Sequence, residues 1–151
     1  MKAQRIVRIF LLGHGTLALA LLEGLLAAKR CQVTGVFRWS SHAGARCSGD
    51  PREKELRRLT HRAGVTEIRC ESANSASFIK LLKKEQPHYV LLGTWGEILR
   101  PPLLRTPDVQ FINCHPSLLP AHRGTNPYAS VIRNSEPETG LTFHLVDEQI
   151  D

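Results

Sequence analysis

Alternating strand and helix patterns constrain this 151-residue chain more than any other feature of its sequence. Residues 6–12 are apolar apart from Arg8, which predicts a buried strand. A turn with two glycines follows at 13–16, and residues 17–28 are then apolar on nearly every side, as in a helix that is covered on most faces. A second apolar run at 32–37 predicts another strand. The chain therefore opens with a strand, a helix and a strand, the unit from which α/β proteins are built.

The same alternation continues along the rest of the chain. The further predicted elements are a helix at 51–62, a strand at 65–69, a helix at 75–84, strands at 88–92 and 109–114, a short helix at 129–133 and a last strand at 141–146. This order predicts one α/β domain with a mostly parallel, twisted sheet, helices on both faces and right-handed crossovers. Ligands of such sheets bind beyond the carboxyl ends of the strands. Three segments are therefore candidates by position: 13–16, 93–99 and 113–124.

Charge and cysteine content restrict the class of protein only in part. Lysine and arginine number 20 against 14 acidic residues, a net charge of +6. This excess fits an anionic substrate, a folate tail or RNA, but it also fits a merely basic surface. The four cysteines are scattered without a C-x-x-C pair, which predicts a reduced, cytoplasmic protein. The apolar stretch 5–28 is broken by Arg8, His14 and Glu23, which argues against a membrane span or a signal peptide.

The turn at 13–16 carries only part of a dinucleotide-binding fingerprint. Gly13 and Gly15 have the expected spacing, but Ala18 replaces the third glycine. The second predicted strand ends in Phe37 and Arg38 rather than in an acidic residue that would hold a ribose. Two interpretations stay open: a tight strand-to-helix turn, or a site for a nucleotide or a partner.

The triplet Asn113-Cys114-His115 ends an apolar run and is followed by a proline-rich segment. Alternate residues of a strand face the same way, so Asn113 and His115 point together and Cys114 points into the packed side. An amide beside an imidazole can donate hydrogen bonds to a developing oxyanion and pass a proton. The alternative is a polar pair that satisfies backbone groups of the loop. A carboxylate partner could come from the acidic tail, which offers Asp147, Glu148 and Asp151.

Two other chemistries fit the triplet less well. Zinc could be held by Cys114, His115, His122 and His144, but no standard ligand spacing is present, and we predict no metal. Ser117 could act as a nucleophile beside His115, but it lacks the G-x-S-x-G turn that exposes such a serine.

Two longer stretches resemble a known family. Residues 111–128, FINCHPSLLPAHRGTNPY, and residues 138–151, ETGLTFHLVDEQID, are similar to the catalytic core of the folate-dependent formyltransferases. That family includes methionyl-tRNA formyltransferase, glycinamide ribonucleotide transformylase and the sugar-nucleotide N-formyltransferases. Its motif is Asn-x-His-x-Ser-Leu-Leu-Pro, then Arg-Gly, then Thr-Gly and a closing Asp, and every element is found here in order. The resemblance is strong over 88–151 and looser over 1–87. It implies a Rossmann-like formyltransferase fold, with residues 1–151 as a catalytic domain.

The resemblance also implies roles for particular residues. The formyl donor would be 10-formyltetrahydrofolate, and the catalytic residues would be Asn113, His115 and Asp151. Asn113 would donate to the oxyanion, His115 would stabilise it and assist proton transfer, and Asp151 would favour charged His115 and help to deprotonate the amine. The folate would be bound by Thr94, Trp95, Gly96, Ile98, Leu99, Val146, Asp147 and Glu148, although Trp95 could equally be a core aromatic. The amine substrate would lie against Gly13, His14, Gly15, Arg123 and Gly124.

The amine substrate itself is predicted from weaker signals. SLLPAHRG, ETGLTFHLVDE and the positive charge favour the methionyl-tRNA branch, with possible RNA contact, over an amino-sugar nucleotide as substrate. Outside the enzyme class, the alternative is a non-catalytic Rossmann-like module that binds a nucleotide or a partner. The turn Gly13-His14-Gly15-Thr16 is neither the Gly-Thr-Pro of the methionyl-tRNA branch nor the Gly-x-Gly-Ser-Asn phosphate site of the ribonucleotide branch. Family members continue beyond the closing Asp, so we expect a C-terminally truncated fragment or a degenerate copy.

Overall fold

A computed structural model describes residues 5–38, 51–69 and 71–148. Six strands and five helices are found in these ranges, and every predicted strand and helix is among them. The elements are β1 (Val7–Gly13), α1 (Gly15–Ala27), β2 (Cys31–Phe37), α2 (Pro51–Arg62), β3 (Glu67–Ile68), α3 (Ala76–Glu85), β4 (Tyr89–Gly93), α4 (Pro101–Leu104), β5 (Gln110–His115), α5 (Pro127–Arg133) and β6 (Thr142–Leu145).

The strands form one sheet in the order β3-β2-β1-β4-β5-β6. The first five strands are parallel, and β6 pairs antiparallel with β5. Gly13, Gly93 and Cys114 are neighbours in register across β1, β4 and β5. The carboxyl ends of these three strands therefore meet at one edge of the sheet, where the sequence predicts a ligand.

Helices cover both faces of the sheet, as predicted. In β1, Phe10 and Leu12 pack on one side with residues of α3 and α4, whereas Ile9 and Leu11 pack on the other with residues of α1 and α2. A strand that is buried on both faces reads as a continuous apolar run. The continuous apolar runs of β1 and β4 therefore identify them as strands. Because these runs do not alternate between polar and apolar residues, the sequence does not show which residues lie on which face of the sheet.

The short helix α4 was not predicted. It begins with two successive prolines, and its four residues are too few to show a helical period. Proline is tolerated in the first helical turn because the amide that it lacks has no partner there. Leu103 of α4 is fully buried in the core, so this turn closes the loop after β4 over the sheet.

No helix in residues 5–38, 51–69 and 71–148 has the length and apolar character needed to cross a membrane.

Candidate active site

The carboxyl end of β5 brings Asn113 next to the last strand. Asn113 lies opposite His144 of β6, and its Nδ2 is 3.2 Å from Nε2 of that histidine. His144 Nδ1 lies 3.1 Å from the carbonyl oxygen of Leu145, which can only accept, so Nδ1 carries the proton. In the neutral ring Nε2 then accepts from the Asn113 amide. His144 thus fixes which way the amide of Asn113 points.

His115 is held by the loop that follows it. Its side chain is nearly buried, with the residue 4% exposed, and its Nε2 donates to the carbonyl oxygen of His122 at 3.0 Å. Because a carbonyl oxygen only accepts, Nε2 carries a proton, and the neutral ring can take up a second proton only at Nδ1. Cys114 between the two site residues is buried on the packed side, as alternation predicted, and burial raises the pKa of its thiol.

The post-β5 loop, residues 116–126, is anchored through the hydroxyl groups of Ser117 and Thr142. Ser117 is fully buried, and its Oγ donates to the carbonyl oxygen of Ala121 at 2.7 Å. Thr142 of β6 donates through Oγ1 to the carbonyl oxygen of Ser117 at 2.7 Å and accepts from the amide of Leu119 at 3.1 Å. Ser117 is therefore part of the framework of the loop.

A hydrogen bond that the sequence did not reveal supports the carbonyl group that accepts from His115. His122 has a left-handed backbone, with φ of 57°, and its Nε2 lies 2.7 Å from Oε1 of Glu136. The hydrogen bond from His122, with a further one from Asn134, lowers the pKa of the Glu136 carboxyl. This pair holds residue 122 in a conformation that non-glycine residues rarely adopt.

The glycine turn, residues 13–16, is shaped by close packing. A Cβ atom on Gly13 would lie 2.2 Å from the carbonyl oxygen of Gly93, and Gly15 has a φ of 68°. The amide of His14 donates to that same oxygen of Gly93 at 3.2 Å. The amide of Gly15 donates to Oε1 of Glu53, from α2. Both glycines are required by the backbone, whatever the turn binds.

The post-β4 loop, residues 94–100, carries most of the predicted folate contacts. Thr94, Gly96 and Ile98 are exposed, whereas Leu99 is buried. Trp95 is half-buried and packs edge-on against Phe37, with ring centroids 5.1 Å apart. Trp95 is thus a core-packed aromatic that still borders the loop surface.

Two residues that sequence reasoning missed hold this loop in place. Glu97 accepts from the side chain of Ser72, from the amide of Ala73 at 2.9 Å and from Asn74 Nδ2 at 2.8 Å. Asn74 also donates to the carbonyl oxygen of Ile98 at 2.9 Å. These contacts join segments more than 20 residues apart in the sequence, so no local sequence pattern predicts them.

The second predicted folate segment leaves β6 in the direction away from His115, because β6 is antiparallel to β5. The amide of Val146 donates to the carbonyl oxygen of Phe111 at 2.9 Å, and Glu148 pairs with Arg105 at 2.8 Å. Val146 packs on the same core cluster as Trp95, so both predicted folate segments border one side of the sheet. Asp147 and Glu148 are exposed. Asp151 lies outside the described residues.

The other predicted substrate-binding residues, Arg123 and Gly124, follow β5. Arg123 is exposed and Gly124 has a φ of 98°, both in the post-β5 loop. Within the ranges that the structure describes, no group of three or more His, Cys, Asp or Glu side chains could hold a metal ion.

A surface depression lies at the other end of the strands, by the amino ends of β1, β4 and β5, and its lining includes Arg5, Arg8, Lys83 and Asp108. The polar groups beyond β5 are therefore not part of that depression.

Sequence comparison places this chain in a family. Residues 5–151 match the family described as formyl transferase, and the chain belongs to that family. It is 34% identical over 145 residues to methionyl-tRNA formyltransferase of Roseiflexus sp. (strain RS-1), covering 96% of this chain and 44% of that protein. It is 32% identical to methionyl-tRNA formyltransferase of Chloroflexus aurantiacus (strain ATCC 29366 / DSM 635 / J-10-fl), covering 96% of this chain and 46% of that protein. The chain thus spans about half the length of the curated relatives that it matches.

Solved structures show the same fold. Glycinamide ribonucleotide transformylase 1 from Symbiobacterium toebii superposes with a TM-score of 0.76 at 23% identity, covering 97% of this chain and 68% of that chain. A formyltetrahydrofolate deformylase from Pseudomonas syringae pv. tomato str. DC3000 gives a TM-score of 0.73 at 22% identity, covering 99% and 48%. The predicted Rossmann-like formyltransferase fold is confirmed.

Proposed function

We propose that this chain is a formyl-transfer domain that moves a formyl group from 10-formyltetrahydrofolate to a substrate amine, as in methionyl-tRNA formyltransferase. The observation that carries this proposal is the pair Asn113 and His115 at the end of β5, each held by a defined partner. The Asn113 amide is oriented by His144, and the His115 ring is oriented by the carbonyl oxygen of His122. Donors fixed in this way stabilise a developing charge without having to reorganise during the reaction.

The residues predicted to hold the folate fit a flat, partly apolar ligand. Trp95 and Val146 border one side of the sheet, and Thr94, Gly96 and Ile98 form an exposed rim. In this proposal these five residues bind the folate together with Leu99, Asp147 and Glu148. When bound, 10-formyltetrahydrofolate would supply the formyl group.

The chain's own groups would act on the charge and the protons of the transfer. As the amine nitrogen bonds to the formyl carbon, negative charge develops on the formyl oxygen, and the Asn113 amide donates to it. His115 adds positive charge beside that oxygen and exchanges a proton at Nδ1. The amine loses one proton and the departing nitrogen gains one, so His115 returns to its starting state. Asp151 is proposed to favour charged His115 and to help to deprotonate the amine.

The relatives' names favour methionyl-tRNA as the amine substrate. Both relatives described above are methionyl-tRNA formyltransferases, and the net charge of +6 suits an RNA partner. In this proposal Arg123 and Gly124 border the substrate, with Gly13, His14 and Gly15 opposite them, and the protein works in the cytoplasm. An amino-sugar nucleotide is the second candidate, because a sugar N-formyltransferase from Shewanella sp FDAARGOS_354 shares the fold with a TM-score of 0.66.

The test is a formylation assay that offers methionyl-tRNA and amino-sugar nucleotides in parallel. Asn113→Ala is expected to lower kcat by about 10²–10³-fold, the usual effect of removing one oxyanion donor, and His115→Ala to lower it at least as much. Glu138→Gln, an exposed change beyond α5, serves as the control. Binding of a folate analogue, measured as a rise in Tm, should survive both alanine substitutions. Undiminished turnover in both variants would end the catalytic assignment, and stabilisation by a nucleotide but not by a folate analogue would favour a binding module.

A further inference from the structure

The amino end of α1 is a place where an anion is expected. α1 begins at Gly15, within the glycine turn, and runs for 13 residues. The unpaired amides and the dipole of such a helix favour a negative charge at this end, and α/β proteins often bind phosphate there. α1 has no acidic residue in its own first turn, and its N-cap, His14, makes no side-chain capping bond.

In this chain a carboxylate from another helix fills that position. Glu53 of α2, 38 residues along the chain, accepts the Gly15 amide through Oε1. Its other oxygen, Oε2, lies 3.0 Å from Nη1 of Arg38. Glu53 is only 9% exposed, so its charge is balanced by the arginine and the helix end rather than by water.

Arg38 is itself held in place by a second carboxylate. Its Nη2 lies 2.6 Å from Oε1 of Glu67 in β3, and Glu67 also pairs with Arg69 at 2.8 Å. Burial raises the pKa of the Glu67 carboxyl, but hydrogen bonds from Arg38 and Arg69 outweigh it and leave that pKa below its ordinary value. Glu67 is therefore ionised at neutral pH and keeps Arg38 aimed at Glu53.

We propose that Glu53 determines substrate specificity by occupying the anion position of the glycine turn and excluding a phosphate group from it. A phosphate at this turn would have to displace a buried carboxylate that already has two partners, or lie beside it against charge repulsion. The substrate amine therefore approaches Gly13–Gly15 through uncharged atoms rather than through a terminal phosphate. The role of Glu53 in substrate specificity rests on the proposed formyl transfer. The contact between Glu53 and the Gly15 amide does not depend on that proposal.

A purely structural role for Glu53 makes a different prediction. If Glu53 only caps α1, its removal weakens the fold and leaves phosphate binding unchanged. If it blocks an anion position, its removal leaves Arg38 and the Gly15 amide facing a vacant site that phosphate can enter.

The experiment is a titration of the whole chain with inorganic phosphate at constant ionic strength, followed by the NMR amide signals of Gly15 and its neighbours. The wild type is compared with Glu53→Ala, Glu53→Ser and the control Glu55→Gln, which removes a partly exposed carboxylate of the same helix. The expected result is saturable phosphate binding at Gly15 in the Glu53 variants, at least tenfold tighter than in the wild type and the control. Glu53→Ser also vacates the position, keeps a polar side chain near the helix end and carries the test if Glu53→Ala does not fold.

The proposal is overturned if phosphate saturates the Gly15 signal of the wild type, if the folded Glu53 variants bind no tighter, or if Glu55→Gln gains as much as they do. The titration requires no turnover. Its failure would leave the proposed formyl transfer standing, and a failure of formyl transfer would leave its result intact.

Discussion

The glycine turn and the segment 113–122 both follow strands that end at the same edge of the sheet, but their polar groups are used differently. In the turn, the amides of His14 and Gly15 are engaged by Gly93 and Glu53. Beyond β5, the side chains of Asn113 and His115 are themselves the polar groups, and neighbouring residues orient them. The carboxyl ends of the strands thus carry two different features: a turn whose anion position is occupied by Glu53, and a segment whose donors we propose to be catalytic.

This difference separates two reasons for an unusual residue. The glycines of the turn are explained by close approach and by backbone conformation. Asn113 has no comparable packing reason, because an amide in a strand next to an apolar core is costly unless it is hydrogen-bonded. Residues that packing does not explain are the better candidates for function.

Substitution of the two glycines should show the packing of the turn most strongly. Gly13→Ala forces a methyl group against the carbonyl oxygen of Gly93 and is expected to cost about 3 kcal/mol of the free energy of unfolding. Gly15→Ala meets open space and pays only for its positive φ, about 1 kcal/mol. Urea denaturation measures both costs. Similar values for the two variants would mean that close approach is not what fixes Gly13.

Removal of the Ser117 hydroxyl tests the support of the post-β5 loop. Ser117→Ala removes a fully buried hydroxyl and the hydrogen bond that it donates to the carbonyl oxygen of Ala121, and is expected to cost about 0.5–1.5 kcal/mol. Thr125→Ala, an exposed change in the same loop, should stay within about 0.5 kcal/mol of the wild type in the same denaturation assay. Equal effects would show that the loop does not depend on the Ser117 hydroxyl.

Acid should weaken the hydrogen bond between Glu136 and His122, with the smallest effect of the three. The pKa of Glu136 is lower in the folded protein than in the unfolded chain, chiefly through the hydrogen bond from His122. Its contribution to stability is therefore complete above the ordinary pKa of a glutamate in the unfolded chain, and is lost as the pH falls through the lower, folded value. The difference in Tm between the wild type and Glu136→Gln should shrink over that range. For the control Glu138→Gln the difference should stay flat, and a flat difference for Glu136→Gln as well would contradict the assignment.

The sequence predicted the sheet and the position of the Asn113–His115 pair because both depend on the pattern of neighbouring residues in the chain. Continuous apolar runs mark strands buried on both faces, and alternation places Asn113 and His115 on one side of β5. Glu53, Glu97 and Glu136 could not be predicted in this way, because each acts on residues of another element or loop. An exposed-looking glutamate in a charged helix, such as Glu53 in α2, carries no local sign that it will be buried.

The antiparallel pairing of β6 makes the rigidity of the site depend on a strand at the edge of the described sheet. His144, which orients Asn113, and Thr142, which anchors the post-β5 loop, both belong to this four-residue strand. Edge elements open locally more readily than core strands do. The rate of hydrogen exchange of the β6 amides therefore measures how often this strand opens and releases Asn113 and the loop. A substitution that frays β6 would loosen the site without contacting either Asn113 or His115.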